Sequence, residues 1–290
     1  MHPAPSIIAF TTFSGLGLGL LFWLGVDPDA PTGWIAFAFF LIGHVLAIGG
    51  LMASTLHLGR PERALKAFTQ WRSSWLSREA WTACAALVVM GVYAALLVFF
   101  GLQVHVLGWL GAILCLATVF TTSMIYTQLK TVPRWHHWST PVLFQLYALG
   151  GGALLSGRVT TGLVLIGLAA LAQGGWWLAG DRRLAASGTT IESATGLGQI
   201  GKVRAFEPPH TGSNYLLRDM VFVVGRKHAH KLRLIALGLM VGLPAFLLLL
   251  PFGHWLAVLA VLAHVAGVLT ARWLFFAEAE HVVGLYYGKR

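Results

Sequence analysis

The chain has 290 residues, of which 57% are hydrophobic and only 10% charged; its mean hydropathy is +0.74 and its formal net charge +10. A soluble domain carries roughly 25% charged residues, so this surface cannot be solvated by its own side chains. Disorder, a secreted disulfide scaffold and a soluble globular enzyme are excluded, and the chain reads as an integral membrane protein.

A bilayer-spanning helix takes about 20 mainly apolar residues. In chain order such stretches lie near Ile7–Val26, Thr32–Leu56, Trp81–Phe100, His105–Gln128, Thr140–Leu155, Thr160–Ala179, Leu232–Leu250 and His254–Phe276. They lack the alternation of a β-barrel, and backbone groups in lipid must be satisfied internally, so each is expected to be helical. No Lys or Arg precedes the first stretch and no small-residue cleavage site follows it, so it reads as a retained helix. Its Gly15-x-x-x-Gly19 allows close helix approach. The fifth stretch is the weakest, being short and carrying Gly150, Gly151 and Gly152. A re-entrant pair made of it and the sixth would preserve the parity of the count. The expected fold is all-α, a bundle of eight transmembrane helices forming a single domain over residues 1–290.

Eight spans place both termini and the second, fourth and sixth loops on one side. That side holds Arg60, Arg63, Lys66, Arg72 and Arg78, then Lys130 and Arg134, a basic sixth loop and Lys289–Arg290. The opposite loops carry Asp27, Asp29 and a single Arg158. By the positive-inside rule both termini face the cytoplasm, across a bacterial inner membrane. Topology and the anionic membrane surface therefore explain the positive charge, and no nucleic-acid partner is expected. The sixth loop, about 180–231, exceeds the roughly 15 residues of an ordinary connection. It is expected to be a cytoplasmic segment that docks a partner, with a flexible tether as the alternative.

Several motifs carry little. Cys84 and Cys115 lie in apolar runs without a C-x-x-C, so the protein cannot hold an iron–sulfur cluster or thiolate zinc by itself. Gly196-Leu-Gly198-Gln-Ile-Gly201 matches the dinucleotide fingerprint as a string, but lacks the strand and helix that fingerprint needs. His136-His137 and His228-Ala-His230 lie in basic loops without acid or thiol partners and read as solvated. His44 and His264, deep in the second and eighth spans, either ligate a b-type haem together or bond to helix carbonyls.

Ionisable residues inside a membrane are costly, and a functional role is their default reading. His57 ends the second span, Glu79 opens the third, Tyr126 ends the fourth and Arg272 lies inside the end of the eighth. All four fall near one interface. An imidazole, a carboxylate, a phenol and a guanidinium at that depth suit a quinone, whose reduction takes two electrons and two protons and so needs acid–base groups at its carbonyls. The alternative is that Arg78 and Glu79 cap the third helix while His57 snorkels to the surface.

The strings Ser54-Thr-Leu-His57-Leu-Gly-Arg60-Pro-Glu-Arg63 and Gln70-Trp-Arg72-Ser-Ser-Trp-Leu-Ser-Arg78-Glu79 resemble the membrane anchor subunit of the dimethyl sulfoxide reductase family. His2-Pro-Ala-Pro-Ser6, Thr131-Val-Pro-Arg-Trp135 and Pro208-Pro-His-Thr-Gly-Ser-Asn-Tyr215 support the likeness, which covers essentially the whole sequence. The resemblance implies eight helices without haem. It also implies a four-cluster iron–sulfur subunit and a molybdenum bis-pterin catalytic subunit as partners, and a quinone site (ubiquinone or menaquinone) beside the nearest cluster. In that family a histidine ending the second helix and a glutamate opening the third serve quinol binding and proton transfer, roles that carry over to His57 and Glu79. Tyr126 and Arg272 join them by the span count. Arg60, Arg63, Lys66, Arg72 and Arg78 are the expected docking residues for the iron–sulfur partner.

One departure concerns direction. Dimethyl sulfoxide-reducing members turn this side to the periplasm, whereas the charge here turns it to the cytoplasm. That orientation resembles the sulfite-oxidising (sulfite dehydrogenase, quinone) molybdoenzymes, which pass electrons from sulfite to quinone. The expectation is thus a quinone-reactive anchor with no chemistry of its own on the soluble substrate. Its alternatives are a quinol-oxidising reductase anchor, a haem b anchor and a stand-alone transporter.

Overall fold

The computed structural model describes residues 1–57, 60–207, 209–212, 214–221, 224–251 and 253–288, without the side chains of His57, Pro61 and Val224. Leu58–Gly59, Pro208 and the Lys289–Arg290 tail of the sequence reading lie outside the described residues. Among those described there is no strand. The long helices are α1 (Pro5–Gly25), α2 (Gly33–Ala53), α3 (Trp75–Ala95), α4 (His105–Thr127), α5 (Ser139–Leu155), α6 (Val159–Ala186) and α10 (His254–Ala277). The short α7 (Ile191–Thr195) lies in the sixth loop, and α8 (Ala229–Leu237) and α9 (Leu243–Leu249) flank a π-turn at Gly238–Gly242. Among the described residues seven helical segments are long and apolar enough to cross a membrane, α8 and α9 counting together within Arg226–Leu249. The apolar α5 is shorter, at 17 residues.

Each of the eight apolar stretches is helical, but three boundaries differ from expectation. Helix α3 begins at Trp75, six residues before the apolar run, so Glu79 lies inside it. Helix α6 continues to Ala186, through the polar Asp181-Arg182-Arg183, because tertiary ion pairs hold that turn. Residues 180–186 and 229–231 of the expected sixth loop are therefore helical.

The triple glycine of α5 is a packing device. A Cβ on Gly152 would lie 2.2 Å from the backbone of Gly19, and one on Gly19 would lie 1.8 Å from the Ala148 carbonyl oxygen. The two backbones touch, as small residues allow in membrane bundles. Helix α2 lies against another face of α1, with Gly43 opposite Gly17 and Gly50 opposite Ser14.

Contacts sort the connections into two ends. At one, the Met1 amino group donates to the Ala279 carbonyl (2.7 Å) and Val282 N–H to the Thr131 carbonyl (3.0 Å). There Arg134 and Arg233 pair with Asp181 (both 2.6 Å), and Arg233 also with Glu278 (2.7 Å). The sixth loop packs on the C-terminal segment, where His210 stacks on Tyr287 and Tyr286 donates to the Ala194 carbonyl. At the other end Asp27 pairs with Arg158 (2.6 Å) and its carbonyl accepts from Gln103 (2.8 Å).

Candidate functional site

Glu79 sits on the second turn of α3, turned inward and only 4% exposed. It does not cap the helix: Ser74 holds that position, and its hydroxyl makes no capping bond. The Glu79 carboxyl meets the Thr122 hydroxyl of α4, which also lies 2.9 Å from the Thr118 carbonyl. A hydroxyl has one proton to give. With Thr122 donating to its own helix, the Glu79 contact is satisfied by a proton carried on Glu79. With Glu79 ionised, Thr122 turns its proton to the carboxylate. Among the described residues no cationic nitrogen lies within 4.0 Å of that carboxyl. The pair is thus a switchable proton holder, unlike a carboxylate locked to a guanidinium.

Tyr126, one turn beyond Thr122, is buried in an aromatic box of Trp135, Phe144, Phe275 and Phe276, with ring centroids 5.3–5.8 Å away. Arg272, 2% exposed, holds its guanidinium carbon over the Phe144 ring (3.6 Å) and near that of Tyr147 (4.8 Å). No described carboxylate reaches it within 4.0 Å, and the aromatic faces are what stabilise its charge. Glu79, Tyr126 and Arg272 thus gather round Thr122 and Phe144. The backbone of His57 closes the turn Ser54–His57 after α2, while its imidazole lies outside the described atoms.

Of the expected docking residues, Arg60, Arg63, Lys66 and Arg72 are exposed. Arg78 is engaged: it donates to the carbonyls of Trp71 (3.0 Å) and Arg72 (2.7 Å) and lies 4.2 Å above Trp75. It thereby shapes an open groove of about 430 Å³ walled by Trp71, Trp81, Arg78 and Thr82, on the helix that carries Glu79. Thr122 escaped the sequence reading because nothing distinguishes one threonine in the run Thr118 to Thr127 until α3 is packed against it.

The deep histidines do what their carbonyl alternative described. His44 Nδ1 lies 2.8 Å from the Phe40 carbonyl and His264 Nδ1 lies 2.8 Å from that of Met240. Among the described residues no three His, Cys, Asp or Glu side chains converge as a metal site.

A bundle of apolar helices of bilayer length, with a buried carboxyl on one of them, defines a multi-pass membrane protein. The chain belongs to the family of the DMSO reductase anchor subunit (DmsC), whose pattern matches residues 2–172. It is 31% identical to the C subunit of sulfite dehydrogenase from Allochromatium vinosum over 99% of both proteins. It is also 29% identical to the YnfH polypeptide of an anaerobic dimethyl sulfoxide reductase of Escherichia coli, over 53% of this protein and 52% of that one. The C polypeptide of the Escherichia coli anaerobic dimethyl sulfoxide reductase is 33% identical over 44% of this protein and 42% of its own length. No solved structure matches.

Proposed function

We propose that this chain is the quinone-reactive anchor of a sulfite-oxidising molybdenum and iron–sulfur complex, with eight spans and both termini in the cytoplasm. A four-cluster iron–sulfur subunit docks on the exposed Arg60, Arg63, Lys66 and Arg72 and on the 180–231 segment, and the molybdenum bis-pterin subunit rides on it. Sulfite and water give sulfate, two protons and two electrons at that outer subunit. Iron–sulfur clusters of that subunit would supply both electrons, and a quinone bound to this chain would take two protons to become quinol. The quinone head rests between Trp71 and Trp81. His57 and Glu79 supply the protons, Tyr126 and Arg272 shape the field behind them, and Glu79 refills from the cytoplasmic side.

The observation that carries this reading is Glu79, a buried carboxyl held by a hydroxyl and free of any described cation partner. The eight-span topology is supported by α5, which runs from the Arg134 end of the bundle to the Arg158 end. The sulfite reading is supported by the full-length likeness to the Allochromatium vinosum protein together with the basic cytoplasmic loops. The test is sulfite-driven quinone reduction by the purified complex with His57→Phe or Glu79→Gln. Both variants should keep the partner subunits and their iron and molybdenum while quinone reduction falls by roughly 10²–10⁴-fold. Normal quinone reduction in both would remove the assignment.

A further inference from the structure

Behind Glu79, reached through Thr122, lies a chamber of about 20 Å³ whose wall includes Thr12, Thr122, Tyr147, His264 and Arg272. A buried water needs roughly 10–15 Å³, so the chamber holds one and at most two. Four polar atoms of its wall are buried without any partner: Thr12 Oγ1, His264 Nε2, and Arg272 Nε and Nη1. Buried polar groups are rarely left so, and their coincidence at one void is the signature of a bound water.

The roles of these atoms follow from one proline. Pro244 has no N–H, so the carbonyl four residues earlier, that of Met240, lacks its helical donor, and the backbone bulges into the π-turn at Gly238–Gly242. His264 Nδ1, 2.8 Å from that carbonyl, donates to it. The neutral ring then has its proton on Nδ1, and Nε2 presents a lone pair to the chamber. Arg272 presents only donors. A water accepting from Arg272 and donating to His264 Nε2 satisfies both, whereas an anion would face the Nε2 lone pair. Gly151 leaves the room: a Cβ there would lie 3.3 Å from His264 Nε2.

We propose that this hydrated chamber is a second proton store, with His264 Nε2 as its acceptor, joined through water and the Thr122 hydroxyl to Glu79. The inference rests on the quinone reading above and deepens it: His57 and Glu79 hand one proton each to the quinone, and the chamber keeps a further one in reserve behind Glu79. In transfer, His264 Nε2–H gives its proton to the water, the water gives one to Thr122 Oγ1, and Thr122 gives its own to the Glu79 carboxylate. Each carrier gains one proton and loses one. The store refills by the reverse path when Glu79 is reloaded. The titratable groups facing the route are Glu79 on α3, Tyr126 on α4, Tyr147 on α5, and His264 with Arg272 on α10. His264 acts through Glu79 and touches no quinone, so it is a positioning residue for the proton.

The test uses the whole complex with His264→Gln. Glutamine keeps an N–H for the Met240 carbonyl and an oxygen for the water, but carries no exchangeable charge. Expected are an assembled complex, a water retained in the chamber in an experimental density map, and quinone reduction roughly tenfold slower with a larger solvent deuterium isotope effect and an altered pH profile. Wild-type rate, isotope effect and pH profile in His264→Gln overturn the proposal, as does a dry chamber in the wild-type map. Glu79→Gln, run alongside, separates the two readings: if it alone stops quinone reduction, the quinone assignment stands and only the store is lost.

Discussion

Two polar regions of this bundle solve the same problem in opposite ways. At the basic end, Asp181 and Glu278 each meet guanidinium groups, Arg134 and Arg233, and the arginines also lie over Trp176 and Trp177 at 5.6 and 5.5 Å. In the centre, Glu79 and Arg272 share a neighbourhood through Thr122 and Tyr126 yet form no pair. A paired carboxylate is held in one protonation state, which fixes structure. An acid bonded only to a hydroxyl can change state at little cost, which is what proton exchange with a quinone requires. The first region ties the fourth loop, α6, α8 and the end of α10 together, and no described ion pair holds the second.

Substitution separates them. Glu79→Gln should cost roughly 10²–10⁴-fold in quinone reduction while leaving the unfolding midpoint in detergent close to wild type. A large fall in that midpoint would mean that Glu79 is structural after all. Glu278→Ala should do the reverse. It leaves Arg134 and Arg233 short of a carboxylate that is only 3% exposed, and loss of one partner from a buried pair costs about 3–5 kcal/mol. Unfolding should come earlier, with turnover per assembled complex unchanged. At the far end Asp27→Asn breaks a pair whose side chains are 25% and 30% exposed, and about 0–1 kcal/mol is expected from the same unfolding measurement.

The smallest effect is one of pH. Burial, and after it the nearby amino terminus, hold His281 below the ordinary histidine range, and its Nδ1 accepts the Val283 N–H (3.0 Å). A depressed histidine means that the folded state binds fewer protons than the unfolded one, so its contribution is complete above the ordinary histidine pKa and is lost as pH falls below it. Amide hydrogen exchange over 281–287 should accelerate on acidification through that window, once corrected for intrinsic rates, relative to the amides around Asp27. Equal acceleration at both ends would erase the distinction between them.

Much of this was legible in the sequence. Apolar runs of bilayer length mark each helix, because hydrocarbon admits little else. Glu79, Tyr126 and Arg272 stand out because ionisable groups are rare at that depth. What escaped depends on partners distant in sequence. Helix α6 runs past its apolar stretch because Asp181 finds Arg134 and Arg233, and the glycines at 150–152 look like weakness until the backbone of α1 is laid against them. Arg78 reads as one more surface charge, although its donors are taken by the carbonyls of Trp71 and Arg72. His264 reads as a haem ligand or the partner of a helix carbonyl, and only the missing N–H of Pro244 explains which carbonyl its ring meets.

The contact of α1 with α5 has a consequence for how the protein is made. Among the described helices long enough to cross a membrane, α1 is the most enclosed, with 67% of its apolar window buried against 17% in Arg226–Leu249. It leaves the ribosome before α5, which is short and glycine-rich and has little claim on the bilayer by itself. When α5 emerges, the groove formed by Gly19 and its neighbours already stands in the membrane to receive it. The order of synthesis therefore matches the order in which the two helices need one another, and a rearranged sequence that delivered α5 before α1 would present this short helix without the surface that shelters it.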